Sequence, residues 1–257
     1  MLKKFIASIL LISCFEDFNL FAIEEYDENL KKLAKAYPNF IKEISNNKLI
    51  WIDNYQMPYD DNIQNKSFVE KLSNASLKDQ MSIQYTKISK NPTYTPFTND
   101  DPGRIRYEPF FKKMYGSNKN EIKNNLTKII WLPKNLNKTL WVSKINGIDN
   151  KLQAISNELD LLPKELISFV NNPSGTISWR KIKNTNRLST HYFGIAIDID
   201  IENSNYWQWD KANNRMKYKN KIPLKIVEIF EKYGFIWGGK WYHYDTMHFE
   251  YRPELLN

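Results

Sequence analysis

Two short segments near the C-terminal end of the 257-residue chain constrain its fold more than any other feature. Only three histidines occur in the sequence, and two of them, His191 and His248, lie in the segments STHYFGIAID and DTMHFE. The first segment ends with Asp198, and the second begins with Asp245. A fold that brings the segments together places two imidazoles and one carboxylate around a common point, with a second carboxylate beside them.

The first segment leads into a predicted strand. Residues 195–201 alternate strictly as Ile-Ala-Ile-Asp-Ile-Asp-Ile. This period of two predicts a β-strand that buries its isoleucines and turns Asp198 and Asp200 to the opposite face. His191 precedes the strand, and Gly194 between them permits a sharp turn. The turn can bring the imidazole and the Asp198 carboxylate to one point.

The second segment also predicts a strand, at residues 247–251, with His248 and Glu250 on one face. Asp245 lies three positions before His248, so a straight strand would put the two side chains on opposite faces. We infer a turn just before the strand, which brings them together. Glu250 is predicted to orient its neighbours or to meet solvent.

His191, His248 and Asp198 form a donor set that suits Zn²⁺. Three protein ligands leave the fourth position open for water, as in hydrolytic zinc sites, and Asp245 is placed to act as a base. The same donors also occur in non-haem iron oxygenases, and a non-catalytic wall-binding module could keep a metal for stability. The extra carboxylate of Asp245 favours hydrolysis, because a structural site needs a closed fourth position and no base.

Other polar and aromatic side chains near the motifs allow two interpretations. Arg180, in the sequence Ser-Trp-Arg, can hold a substrate carboxylate or a developing oxyanion, or can form an ordinary surface salt bridge. His243, which lies among aromatic residues, is predicted to stack or to support the site rather than to bind metal. At least half of the four nearby tryptophans are predicted to be core residues, and the others to line a cleft: Trp207, Trp209, Trp237 and Trp241.

The order of these motifs resembles the M15 family of zinc peptidases. The resemblance covers about residues 175–255 and rests on WR at 179–180, RLSxHxxGIAID at 187–198, GFxWGGxW at 234–241 and DxMHFE at 245–250. The family includes D-alanyl-D-alanine carboxypeptidases, VanY and VanX dipeptidases and phage-type L-alanyl-D-glutamate endolysins. The Asp-x-x-His form resembles the endolysin-like branch, since VanX-like members carry Glu-x-x-His.

The resemblance implies a function and a role for each site residue. It implies that His191, Asp198 and His248 bind one zinc ion, that Asp245 is the catalytic base and that Arg180 holds the substrate or the transition state. The fold would be α+β, with a small antiparallel sheet packed by helices, as in Hedgehog and DD-peptidase domains. The substrates would be the stem peptides of peptidoglycan, cleaved either as a D,D-carboxypeptidase or as an L-alanyl-D-glutamate-type endopeptidase.

The N-terminus resembles an export signal. Residues 1–22 begin with two lysines and continue with the apolar run 5–15, which is about half of the ~20 residues that a membrane-spanning helix needs. Two cleavage sites are predicted, one after Ala22 and one after the lipobox-like sequence LIS at 11–13. In the second case Cys14 is lipidated and attaches the protein to the membrane. We therefore predict export to the periplasm or cell envelope; the weaker alternative is an ordinary buried N-terminal helix.

The charge of the chain bears on its partners. The formal net charge is +8, which can attract anionic envelope polymers, although general solubility is the explanation that we prefer for it. The lysines are scattered among Asn and Glu and no nucleic-acid-binding motif occurs, so we predict no nucleic-acid partner. The single cysteine excludes an internal disulfide bond. Nothing in the sequence indicates an oligomeric state.

We divide the chain into the signal at 1–22, an N-terminal extension of helices and loops at 23–117 and a catalytic domain at 118–257. The polar stretch 89–106 contains Asp-Pro-Gly-Arg and predicts a surface loop. The stretch 101–115 also resembles a region of some larger bacterial M15 members, to which the sequence assigns no role. Helices are predicted at 27–45 (broken at Pro38), 108–115, 118–126, 149–158, 163–171 and 223–233, and further strands at 49–53, 129–131 and 140–142.

Overall fold

The computed structural model describes residues 27–93, 95–211 and 217–257. The predicted signal, its lipobox and Cys14 lie outside the described residues. Among the described residues, no helix combines the length and the apolar character that crossing a lipid bilayer requires.

The N-terminal part contains one helix and a three-stranded antiparallel sheet. Helix α1 (Glu28–Ala36) is followed by β1 (Ile41–Ser45), β2 (Lys48–Trp51) and β3 (Gln56–Pro58), paired in the order β1-β2-β3. The predicted continuation of the helix to residue 45 was wrong, because β1 pairs with β2. Asn46 and Asn47 form the two-residue turn between these strands with φ angles of 48° and 55°, which asparagine tolerates better than most residues.

Short helices follow the N-terminal sheet. They are α2 (Phe68–Ser73), α3 (Leu77–Gln80), α4 (Glu108–Tyr115) and α5 (Lys119–Asn124). Helix α4 has its predicted bounds and ends at Gly116, whose φ of 124° few other residues adopt. Its aromatic and methionine side chains are buried, so this helix belongs to the core.

A hairpin and two helices precede the site region. Strands β4 (Leu126–Trp131) and β5 (Lys138–Ser143) pair antiparallel, and helix α6 (Ile148–Leu159) contacts both of them. These elements agree with the predicted ones. Helix α7 (Lys164–Ile167) is shorter than the predicted 163–171.

The sheet that carries the site is antiparallel and has the strand order β6-β7-β9-β8. Its strands and the two intervening helices are β6 (Pro173–Gly175), β7 (Ala196–Asp200), α8 (Trp207–Lys211), α9 (Leu224–Lys232), β8 (Phe235–Trp237) and β9 (His248–Tyr251). Helix α9 covers the apolar face of this sheet, where the rings of Phe230 and Phe249 stack with centroids 3.9 Å apart. The opposite face is left for polar side chains.

The described residues form a mixed α and β fold with small antiparallel sheets, as predicted. One cluster of buried hydrophobic residues extends from Leu30 to Leu255 and so includes residues on both sides of position 117. The division of the chain at that position stays a prediction.

The stretch 89–106 is not simply a surface loop. Asp101 and Ile105 are only 0% and 2% exposed. The interior tolerates Asp101 because the carboxylate accepts the backbone N–H of His243 (2.8 Å) and contacts the Nδ1 atom of the same residue (2.5 Å). The surface-loop prediction is therefore wrong for residues 101–105, whose partners lie far away along the chain, whereas most of the described residues before them are exposed.

Candidate metal centre

The register of the site sheet determines the first half of the centre. In the β7–β9 pair, Asp198 lies directly opposite His248. Directly opposite residues of antiparallel strands project to the same face. The Nδ1 atom of His248 consequently lies 2.9 Å from Oδ1 of Asp198.

His191 reaches the same point from a turn in front of β7. It lies in the short 3₁₀ helix Thr190–Phe193, which ends at Gly194 with a φ of 69°. A Cβ atom at Gly194 would lie 2.9 Å from a side-chain atom of Leu126, so the close approach also requires glycine. The Nε2 atom of His191 lies 3.1 Å from Oδ1 of Asp198 and 3.2 Å from Nδ1 of His248. The turn inferred from the sequence is present.

The spacing of these three atoms fits a metal ion. Ligand atoms at ~2.0–2.1 Å from a tetrahedral zinc ion lie roughly 3.3 Å from one another. The three donor atoms are 2.9–3.2 Å apart. Within the described part of the chain, the residues that carry these atoms form the group of His and carboxylate side chains that could hold a metal ion.

The second nitrogen of His248 supports the same interpretation. Its Nε2 atom lies 3.0 Å from Oε2 of Glu250, a fully buried carboxylate. An ionised carboxylate only accepts hydrogen bonds, so Nε2 carries a proton, and a metal ion that replaced the proton on Nδ1 would meet a lone pair directed toward Asp198 and His191. Lone pairs that converge in this way repel one another unless a cation lies between them.

The electrostatics of the centre favour positive charge. Burial disfavours a charged His248, but hydrogen bonds to Asp198 and Glu250 outweigh it and raise the pKa of His248 to about 10. Burial likewise opposes ionisation of Asp198, yet the imidazoles of His191 and His248 hold its pKa well below the usual range. A divalent cation would supply the positive charge that this arrangement favours.

A buried chain of charges supports the centre from behind. Glu250 accepts a hydrogen bond from Nη1 of Arg252 (3.1 Å), and Nε of Arg252 donates to Glu254 (2.5 Å). Glu254 also accepts the hydroxyl proton of Tyr37 (2.7 Å). Carboxylates that hold a metal-binding histidine fix its orientation and its tautomer. Glu250 therefore orients His248, which agrees with one of the two roles predicted for it.

Asp245 lies next to the donor atoms without being one of them. The backbone N–H of His248 donates to the carbonyl oxygen of Asp245 (3.2 Å), which is the turn that the sequence required. The Oδ1 atom of Asp245 is buried and has no hydrogen-bond partner among the described residues. Burial, and next the charge of Asp198, raise the pKa of Asp245 to about 6. A carboxylate of this kind can exchange protons near neutral pH.

These residues surround a cavity of about 110 Å³. Arg180 lines it and is exposed, so this residue lies at the mouth. A β-bridge between Lys181 and Leu188 holds this segment beside the histidine turn. The cavity therefore brings together all five residues predicted for the site: Arg180, His191, Asp198, Asp245 and His248.

The aromatic residues divide between core and surface. His243 lies outside the donor cluster and packs edge-on against Trp207 (4.7 Å between centroids), in agreement with the predicted stacking role. Trp237 and Trp241 are buried, whereas Trp209 is 50% exposed. Trp241 also lines the cavity, with its ring 5.4 Å from that of His248.

Sequence reasoning gave no site role to three polar residues of the cavity wall that lie outside the two histidine motifs, Arg104, Arg106 and Tyr206. The two arginines belong to the stretch 101–115, whose resemblance to larger M15 members was the available signal. Tyr206 had no signal of its own; it pairs with Asp245 through an isolated β-bridge.

Residues 183–251 match a family model described as D-alanyl-D-alanine carboxypeptidase. This match supports an M15 peptidase. The matched residues 183–251, called the M15 segment, include the three donor residues and Asp245. They leave out Arg104, Arg106 and Arg180. The match indicates a hydrolase of the metallopeptidase type. Neither the comparison with curated proteins nor the comparison with solved structures gives a match.

Proposed function

We propose that the protein is a zinc-dependent peptidase that hydrolyses an amide bond in the stem peptides of peptidoglycan. One observation carries the proposal: within the M15 segment, His191, Asp198 and His248 converge to 2.9–3.2 Å in a cavity that also contains Asp245. The presence of a carboxylate beside the donors favours a hydrolase over an oxygenase or a binding module, because only hydrolysis needs a base there.

His191, Asp198 and His248 would hold the zinc ion. When bound, zinc supplies Lewis acidity and lowers the pKa of water to about 7. Glu250 keeps the Nδ1 lone pair of His248 directed at the ligand position, because it binds the proton on Nε2. The centre is thereby preorganised from the protein side.

Asp245 would move the proton. Its raised pKa suits a group that takes a proton from the attacking water and gives it to the leaving amine. Its Oδ1 atom has no hydrogen-bond partner among the described residues. Arg180 at the cavity mouth would stabilise negative charge on the substrate, either a carboxylate or the developing oxyanion.

We further propose that the protein acts in the cell envelope. The export-like segment 1–22, with lipidation of Cys14 or cleavage after Ala22, and the net charge of +8 support this location. Peptidoglycan would then be the partner, and nucleic acid would not be one. The division into an extension at 23–117 and a catalytic domain at 118–257 is part of the same proposal.

The test is to incubate the purified protein with muropeptides and to identify the products by mass spectrometry. Loss of a terminal D-alanine would indicate a carboxypeptidase, and cleavage between L-alanine and D-glutamate an endopeptidase. His248→Ala should lose both zinc and activity, whereas Asp245→Asn should keep zinc and lose turnover. Intact muropeptides after incubation with zinc-loaded protein would refute the proposal.

A further inference from the structure

Three arginines line the cavity of the metal centre, and all three come from outside the M15 segment. Arg104 and Arg106 lie in the loop 101–106, and Arg180 lies at the mouth. Burying cationic groups is costly unless anions compensate them. The partners of Arg104 and Arg106 therefore indicate what this part of the cavity is built to receive.

Arg104 contacts mainly uncharged groups. Its guanidinium lies 4.5 Å from the centroid of the Trp241 ring, and Nη2 donates to the carbonyl oxygen of His243 (2.5 Å). The nearest carboxylate oxygen given for it, Oδ2 of Asp101, is 3.8 Å from Nε and is already in contact with the His243 ring. Nε of Arg104 is buried and has no hydrogen-bond partner among the described residues.

Among the described residues, the hydrogen-bond partners of the Arg106 guanidinium are backbone oxygens only. Nη1 donates to Gly103 (3.0 Å), and Nη2 lies 3.5 Å from the carbonyl oxygen of Leu188. Burial, followed by the nearby charge of Arg187, lowers the pKa of Arg106 to about 9. Glu250 attracts Arg106, but its oxygens are bound by His248 and Arg252. The positive charge of Arg106 is thus poorly compensated.

The loop that carries both arginines is held firmly against the metal centre. The carbonyl oxygen of Gly103 accepts a hydrogen bond from Arg252 (3.1 Å). A Cβ atom at Gly103, whose φ is 95°, would lie 2.6 Å from Oε1 of Glu250. The loop backbone therefore packs directly on the carboxylate that orients His248, and Arg104 and Arg106 are positioned before any ligand arrives.

We propose that Arg104 and Arg106 form an anion subsite that binds a carboxylate of the substrate beside the bond to be cleaved. This inference rests on the proposed function, in which Asp198 binds the metal and Asp245 transfers the proton. A guanidinium pair recognises a carboxylate through charge-assisted hydrogen bonds. The carboxylate is either the C-terminus of the stem peptide or the free carboxylate of a dicarboxylic residue within it.

The experiment compares three forms of one stem peptide: the free acid, the C-terminal amide and a form amidated only at its internal carboxylate. Each is titrated calorimetrically into zinc-loaded wild type, Arg104→Gln and Arg106→Gln, and kcat/KM is measured in parallel. Lys183→Gln is the matched control, since it removes one exposed charge that does not line the cavity. Arg104→Lys and Arg106→Lys retain the charge but not the paired hydrogen bonds.

We expect each Gln variant to bind the free acid about 10- to 100-fold more weakly, which is the usual effect of losing a charged hydrogen-bonding partner. The preference for the acid over one of the two amides should fall to about one, and that amide identifies the recognised carboxylate. The Lys variants should recover part of the preference, and Lys183→Gln should retain all of it.

Two results would overturn the subsite. One is an unchanged acid-to-amide preference in both Gln variants; the other is an equal loss of affinity for all three peptides, which indicates a structural role. Zinc content and the midpoint of urea unfolding are measured for every variant, so a misfolded protein is recognised. If wild type binds the peptides but cleaves none of them, the proposed peptidase function fails, while the binding titrations still decide the subsite.

Discussion

Glu250→Gln tests whether the buried charge chain governs metal binding. Glu250 is fully buried and joins His248 (3.0 Å) to Arg252 (3.1 Å). Burial disfavours its charge, yet the His248 hydrogen bond and the arginines Arg252 and Arg106 lower its pKa from 4.5 to about 2. This difference corresponds to about 3 kcal/mol of stabilisation, which is present above the unfolded-state pKa and is lost as the pH falls toward 2.

The substitution should weaken zinc binding about 10- to 100-fold, as expected for the loss of a carboxylate that orients a metal-binding histidine. Because Gln offers either its oxygen or its NH₂ group to Nε2, the tautomer of His248 is no longer fixed. The free energy of unfolding should fall by about 3 kcal/mol, and Arg252 keeps its second partner, Glu254, at 2.5 Å. Zinc affinity is measured by competition with a chromophoric chelator, and stability by urea unfolding at pH 7.

Glu254→Gln is the matched control. It removes the other carboxylate partner of Arg252 and the acceptor of Tyr37, and its contacts do not include His248. We expect a comparable loss of stability with zinc affinity within about 2-fold of wild type, since only direct contact with the ligand affects its orientation. Equal zinc affinities for wild type and Glu250→Gln, or equal losses for both variants, would refute the reasoning.

Three further outcomes are expected. Asp245→Asn should lower kcat about 10²- to 10⁴-fold with zinc content unchanged, measured by turnover and elemental analysis; a smaller loss argues against a base at this position. A base at Asp245 acts in its deprotonated form, and the pKa of Asp245 is about 6, so kcat/KM should decline below about pH 6. Zinc bound nearby would lower this pKa and so move the decline to lower pH. Gly194→Ala should cost about 1–3 kcal/mol in urea unfolding, since φ is 69° and the new Cβ atom would meet Leu126; unchanged stability would contradict this.

The sequence by itself determined the elements that depend on neighbouring residues. The alternation at 195–201 became β7, the Gly194 turn presents His191, and Gly116 ends α4 at the predicted residue. These features follow from side-chain periodicity and from backbone conformations that few residues adopt, both of which are local properties. The three side chains that converge, those of His191, Asp198 and His248, could be singled out for the same reason, because each lies within a short motif.

Only the tertiary structure decided how distant segments meet. The register that sets Asp198 opposite His248, the burial of Asp101 and the entry of Arg104 and Arg106 into the cavity depend on contacts between residues far apart in the chain. A polar Asp-Pro-Gly-Arg sequence predicts solvent exposure, and only its partners across the fold make burial favourable. Local pattern therefore specified the side chains of the candidate metal centre, and long-range packing specified its cationic wall.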